Sequence, residues 1–267
     1  MIEQAADAKR IVVKVGTSTL AHQTGLLNIQ RMERLVKVLS DLKNAGKEII
    51  LVSSGAIGVG AGKIGLKERP ADIPVRQACA AIGQCELMYC YDKYFSEYNH
   101  TVAQVLMTRD IIDCENRKTH VVNTLMNLLH FGIIPIVNEN DTVSTEEIEF
   151  GDNDTLSAIV GSLCQTDLLV ILTDVDGVFT KNPRVYDDAE LISQIEEVND
   201  GVKALAGGEG SHLGTGGMVT KLSAAQIGLD EGFPTVIMKG SSPEALYRLF
   251  DGEAIGTFIG GKKGATK

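Results

Sequence analysis

The chain has no tryptophan, only six prolines and only five cysteines in 267 residues. Cys79, Cys85, Cys90, Cys114 and Cys164 include no C-x-x-C pair, and none stands at zinc-finger spacing from a histidine. That excludes a sequence-evident dithiol or zinc motif. Most fall in apolar runs, so buried free thiols are expected, and a reducing, cytoplasmic setting suits them. No run approaches the ~18 apolar residues of a membrane span. Residues 1–10, acidic and alanine-bearing, lack the apolar centre of a secretion signal. Positive charge is scarce as well: 25 Lys and Arg face 35 Asp and Glu, a formal net charge of −10. Overall attraction to nucleic acid or an anionic membrane is therefore not expected, and an anionic substrate must be met by lysines placed locally. No G-x-x-x-x-G-K-[ST] segment occurs, so a Walker A loop is excluded. His22, His100, His120, His130 and His212 are scattered and suggest no site, and no residue is assigned as a direct metal ligand.

What is present is an ordinary globular composition, 44% hydrophobic and 22% charged, in a length that suits one large α/β domain or two small ones. Apolar runs at Ile11–Val15, Glu48–Val52, Thr101–Met107, Ile133–Val137, Leu168–Thr173, Thr235–Met238 and Ile255–Ile259 read as strands. Helical spacing appears over Asn28–Ala45, Pro74–Tyr98, Arg117–His130, Thr155–Leu163, Met218–Glu231 and Pro243–Phe250, and Thr142–Phe150 alternates as a hairpin would. Strands alternating with helices predict a mainly parallel sheet covered on both faces. Right-handed crossovers then place every strand's C-terminal end on one edge, where ligands bind. One compact unit with two lobes is expected, the first to about residue 165 and the second from about 166.

The most informative segment is Leu213-Gly214-Thr215-Gly216-Gly217-Met218-Val219-Thr220-Lys221, which opens the alanine-rich helix. Glycines let backbone N–H groups approach an anion. A helix start adds unpaired donors and partial positive charge, and a lysine on its first turn can reach the same anion. This predicts a phosphate site. Lys14 lies inside an apolar strand just before Gly16-Thr17-Ser18. A buried lysine is costly unless it meets a fixed anion, and the glycine-hydroxyl turn favours that over an escape to solvent. Ser53-Ser54-Gly55-Ala56 repeats the strand–turn–helix pattern, either to hold an anion or simply to cap a helix. Gly60-Ala61-Gly62-Lys63-Ile64-Gly65 matches G-x-G-x-x-G, but it begins well past the end of its strand and is rejected as a dinucleotide turn. Asn138-Glu139-Asn140-Asp141 and Gly151-Asp152-Asn153-Asp154 crowd acids and amides near one sheet edge. There they could bind an ammonium group, orient lysines or hold magnesium through water. Thr173-Asp174-Val175-Asp176-Gly177 closes the most hydrophobic strand, as a plain turn or as a cradle for a base or ribose.

In this order, Val13 to Ser18, Ser54 to Ile57, Asn138 to Asp141, Gly151 to Asp154, Leu172 to Asp174 and Gly214 to Lys221 resemble the amino acid kinase superfamily. Within it the chain is most similar to the glutamate 5-kinase family, from about Ile11 to Ile259. The resemblance implies a three-layer α/β/α sandwich. It implies ATP held by Thr173, Asp174 and the segment Thr215, Gly216, Gly217, Met218, Val219, Thr220 and Lys221, with Lys14 near the phosphates and magnesium bridging them. It implies glutamate held by Ser54, Asp141 and Asn153. On that reading Lys14 and Lys221 are catalytic, Asp154 holds them in place, and Asp152 helps position glutamate. Inhibition by L-proline and a homo-oligomer, dimeric or tetrameric, are further implications. Many members carry a C-terminal PUA domain; here a short basic tail follows Ile259, so none is expected. An acetylglutamate kinase or a non-catalytic sensor on the same fold are alternatives. The presence of both Lys14 and Lys221 argues for an active enzyme.

Overall fold

The structure, a computed structural model, describes residues 2–68, 70–108, 110–143, 152–206 and 217–260. Its strands are β1 (Arg10–Val15), β2 (Glu48–Ser53), β3 (Val102–Met107), β4 (Ile134–Glu139), β5 (Leu168–Thr173), β6 (Gln194–Ile195), β7 (Thr235–Lys239) and β8 (Thr257–Ile259). They form one sheet in the order β3-β4-β2-β1-β5-β7-β8-β6. The chain starts in the middle of the sheet and builds outward on both sides. β1 pairs with β2 and β5, and its Lys14 lies opposite Val52 on one side and Ile171 on the other.

β1, β2, β3, β4, β5 and β7 run parallel, as the βα alternation predicts. The expectation that every strand shares that direction fails at β8, which is antiparallel to β7 and carries the short β6 with it. Gly256 explains the reversal. It adopts φ +73°, and a Cβ there would stand 2.3 Å from the Ile237 carbonyl oxygen. Only glycine can turn the chain this tightly against β7. β6 and the helix Asp200–Ala206 have too little periodicity to be read from sequence.

Strand alternation divides the core into two layers. On one face Ile11, Val13, Val15, Ile49 and Leu51 pack with Met32, Leu35 and Leu39 of the helix Ile29–Asn44 and with Leu87, Tyr91 and Phe95 of Ile73–Ser96. On the other, Val12, Ile50, Val52, Ile171 and Ile237 meet Leu125 of Glu115–His130, Leu156 and Val160 of Asn153–Cys164, and Leu222 and Ala225 of Met218–Glu231. The result is a three-layer α/β/α sandwich. The sequence placed these helices to within about two residues. Thr142–Phe150 enters a turn at 141–143, and its remainder lies outside the described residues. The expected burial of the thiols holds for Cys79 and Cys164, whereas Cys90 and Cys114 are half-buried and Cys85 is exposed. Cys85 sits on the outer side of a helix whose inward turns are occupied by Gly83 and Leu87.

The rejected G-x-G-x-x-G segment acquires a structural role. The helix Ala56–Lys63 lies against Ile73–Ser96 so closely that a Cβ on Gly60 would be 1.9 Å from the Cys79 carbonyl oxygen, and one on Gly83 1.8 Å from that of Ala56. Gly62 meets the backbone of Gly25 in the same way. These glycines let backbone pack on backbone. Replacing Gly83 with alanine must push the two helices apart, and we expect a loss of about 3 kcal/mol or more, measured by urea unfolding against Gly46→Ala, which meets nothing within 4 Å and should cost about 1–2 kcal/mol for its left-handed backbone.

Candidate active site

Lys14, on the central strand, has a side chain only 8% exposed. Lys221, on the first turn of Met218–Glu231, is 6% exposed. Both reach the carboxylate of Asp154, which has no exposed surface: Lys14 Nζ stands 2.6 Å from Oδ1 and Lys221 Nζ 3.1 Å from Oδ2. Thr220 Oγ1 lies 2.8 Å from Oδ2. Three segments far apart in sequence thus converge on one carboxylate. Asp154 sits in the first turn of Asn153–Cys164, and Asp152 caps that helix by accepting a hydrogen bond from the Thr155 N–H at 2.8 Å. Capping therefore accounts for Asp152 but not for Asp154.

Two ammonium groups share the Asp154 carboxylate where little water can screen them, and Asp152 is close enough to act on Lys14 as a further negative charge. Burial lowers the Lys14 pKa and Lys221 adds repulsion, while Asp154 opposes both. For Asp154, burial pushes the pKa up, but Lys14 and Lys221 outweigh it and hold the carboxyl below its ordinary value. Burial raises the Asp152 pKa, offset in part by the N–H it accepts from Thr155. An anion entering beside the lysines would meet both ammonium groups at once. Gly217 and the first turn of the helix behind it begin beside Lys221, and among the described residues no side chain caps them.

On the β2 side of this cluster lies a web of neutral polar groups. Asn153 Nδ2 donates to Ser54 Oγ (2.9 Å), Asn138 Oδ1 (2.9 Å) and the Ser53 carbonyl (3.2 Å). Asn138 in turn donates to Gln84 Oε1 at 2.9 Å. Ser53 Oγ lies 2.9 Å from the hydroxyl of Tyr91, so Ser53 is fixed from both faces of the sheet. Asp141 occupies the turn after β4, half-buried on the same edge. Gln84 and Tyr91, seven residues apart on the helix Ile73–Ser96, were not anticipated. They sit at ordinary inward positions of a helix, and nothing in their spacing separates them from packing residues.

On the β5 side, Thr173 is buried and donates to Asp174 Oδ1 at 3.1 Å. Asp174 is exposed and forms an ion pair with Arg184, another residue the sequence did not single out. Burial pushes the Asp174 carboxyl up, but its own backbone N–H and Arg184 hold it below the ordinary value. Gly217, Met218, Val219, Thr220 and Lys221 stand at the start of their helix as expected, whereas Thr215, Gly216 and Gly151 lie outside the described residues.

The model of the amino acid kinase family matches residues 9–239. A glutamate 5-kinase from Clostridium perfringens is 52% identical over 262 residues, covering 97% of each chain. One from Listeria monocytogenes is 51% identical and covers 98% of this chain and 97% of its own. One from Caldanaerobacter subterraneus is 52% identical over 93% of this chain, and the match spans 67% of that longer relative. Among solved structures, UMP kinase from Bacillus anthracis superposes with a TM-score of 0.64 at 20% identity, covering 95% of this chain and 96% of that one. An isopentenyl phosphate kinase gives 0.65 at 18%, covering 94% and 99%. These two bear on the fold alone.

The Asp154 cluster makes an acid-side prediction. Its carboxyl has a lower pKa folded than unfolded. Its stabilising contribution is therefore complete above the unfolded value near 3.8 and is lost as pH falls through the lower, folded value. Asp154→Asn leaves two buried ammonium groups without their counter-charge and should cost about 3–5 kcal/mol at neutral pH. The gap from wild type should narrow in acid, as read by denaturant unfolding across pH.

Proposed function

The chain belongs to the amino acid kinase family, and on that premise we propose that it transfers the γ-phosphoryl group of ATP to the side-chain carboxylate of L-glutamate, giving γ-glutamyl phosphate, the first step of proline biosynthesis. The observation that carries this reading is the convergence of Lys14 and Lys221 on the single carboxylate of Asp154, beside a polar web suited to a small zwitterion.

The acceptor needs no general base, because a glutamate side chain with a pKa of about 4.3 is already ionised at neutral pH. The obstacle is repulsion between two anions, so positioning and charge neutralisation supply the catalysis. Lys14 and Lys221 flank the transferring group and stabilise its equatorial oxygens, and Asp154 fixes where their ammonium groups stand. Thr173, Asp174 and the segment Thr215 to Lys221 hold the nucleotide. Magnesium would arrive with the nucleotide and neutralise part of the triphosphate's charge; among the described residues no group of three or more His, Cys, Asp or Glu is placed to hold it. Ser54 and Asn153 orient the glutamate carboxylates, and Asp141 pairs with its ammonium group. Asp152, engaged as the helix cap, acts by keeping Asn153 and Asp154 in register. The acceptor half runs to about residue 165 and the nucleotide half follows from about 166. The same reading includes inhibition by L-proline, a homo-oligomer and a cytoplasmic location. Among the described residues no helix is long and apolar enough to cross a membrane.

The test is glutamate-dependent ADP release with hydroxylamine trapping of the acyl phosphate, run in parallel with N-acetylglutamate, aspartate and carbamate. Turnover with N-acetylglutamate in place of glutamate would overturn the substrate assignment, since that acceptor lacks the ammonium group for Asp141. Lys221→Ala should stay folded and lose roughly a hundredfold to a thousandfold in kcat, the usual cost of a preorganised donor. Near-normal kcat would remove Lys221 from the chemistry.

A further inference from the structure

Lys239 ends β7, and its neighbours place it in the wall of the nucleotide half. It lies directly opposite Thr173 across the β5–β7 ladder. Strand alternation puts both on one face of the sheet, because Ile171 and Ile237, two residues earlier in each strand, belong to the same core layer. Val12 belongs to that layer too, so Lys14 projects from the same face of β1. Lys14, Thr173 and Lys239 therefore share one face near the C-terminal ends of β1, β5 and β7, on a diagonal: Lys14 stands opposite Ile171, two residues before the Thr173–Lys239 pair. Two strand spacings of about 4.8 Å and a two-residue rise of about 6.6 Å separate Lys14 from Lys239, a span of the order of a triphosphate.

The residue after Lys239 ties this end of β7 to the first glycine turn. The Gly240 N–H donates to the Thr173 carbonyl at 2.7 Å. A Cβ on Gly240 would come within 2.8 Å of Thr19 Oγ1 and 3.0 Å of Leu172 Cβ. Thr19 follows Gly16, whose own Cβ position is 3.6 Å from Lys14 Nζ. The ends of β7, β5 and β1 are thus packed into one surface. Lys239 itself is loosely held. Its ammonium stands 3.4 Å from Asp176 Oδ2, and the two side chains are 46% and 57% exposed. An exposed pair of this kind is worth about 0–1 kcal/mol, so the cation can be given up to a stronger anion at little cost.

We propose that Lys239 is a third nucleotide-binding cation, which leaves Asp176 to hold the α- and β-phosphates of ATP while Lys14 and Lys221 attend to the γ-phosphate. This rests on the phosphotransfer reading above and adds to it a division of the triphosphate among three lysines. Lys239 acts on binding and not on the transferred group, since it lies two strands from Lys14.

The experiment is calorimetric binding of ATP, ADP and adenosine to wild type, Lys239→Gln and Lys239→Arg, with kcat and both KM values measured alongside. Loss of one charge-assisted contact should weaken ATP and ADP by roughly tenfold or more. Adenosine affinity, kcat and the glutamate KM should stay within twofold, and Lys239→Arg should restore most of the loss. Wild-type affinity for ATP in Lys239→Gln, or equal weakening of adenosine, would overturn the inference while leaving the kinase reading intact. Failure of the wild type to bind ATP at all would overturn the kinase reading and this assignment together.

Discussion

Asp154 has no contact with solvent, yet it is held ionised because Lys14 and Lys221 reach it from opposite sides. The geometry of the candidate site depends on this carboxylate. Without it, two buried ammonium groups would repel each other and turn outward to water. With it, they are fixed side by side on one buried carboxylate. The fold supplies the two lysines from its most rigid parts. One comes from the central strand, paired on both sides, and the other from the first turn of a helix packed into the core by Leu222, Ala224 and Ala225.

The sheet edge is divided by chemical type around that cluster. Toward β2 and β4 amides and hydroxyls are bound to one another and braced from the opposite layer by Tyr91, with the carboxylates of Glu139 and Asp141 at the end of β4. Toward β5 and β7 they are charged and more exposed, with Asp174, Arg184, Asp176 and Lys239 in loose or peripheral pairs. A small acceptor with several hydrogen-bonding groups suits the first side. A longer, highly charged donor that arrives with its own hydration suits the second. Lys14 and Lys221 stand at the boundary between the two.

Close backbone packing makes this division possible. Gly60 and Gly83 let the helix after β2 lie directly on the long helix behind it, and this brings Tyr91 and Gln84 within reach of Ser53 and Asn138. Gly256 reverses the last strand, so β8 runs back antiparallel along β7 and carries β6 on its outer edge. Both devices act through the absence of a side chain.

The sequence by itself determined the layered fold and pointed to most of the residues that gather at the candidate site. Apolar runs of strand length and helical spacing are local properties, and phosphate turns announce themselves through adjacent glycines and a lysine. Lys14 was legible because a charge inside an apolar strand needs a partner, and Lys221 because it follows a glycine-rich helix start. The resemblance already pointed to Asp154 as the partner of both, and the tertiary structure gave the physical reason: helix capping uses Asp152, while Asp154 is buried between the two lysines. It alone brought in Gln84, Tyr91, Arg184 and Lys239, whose positions look like packing or surface residues along the chain. Their significance comes from contacts across strands and layers, and a one-dimensional pattern carries no information about which distant residue will stand opposite.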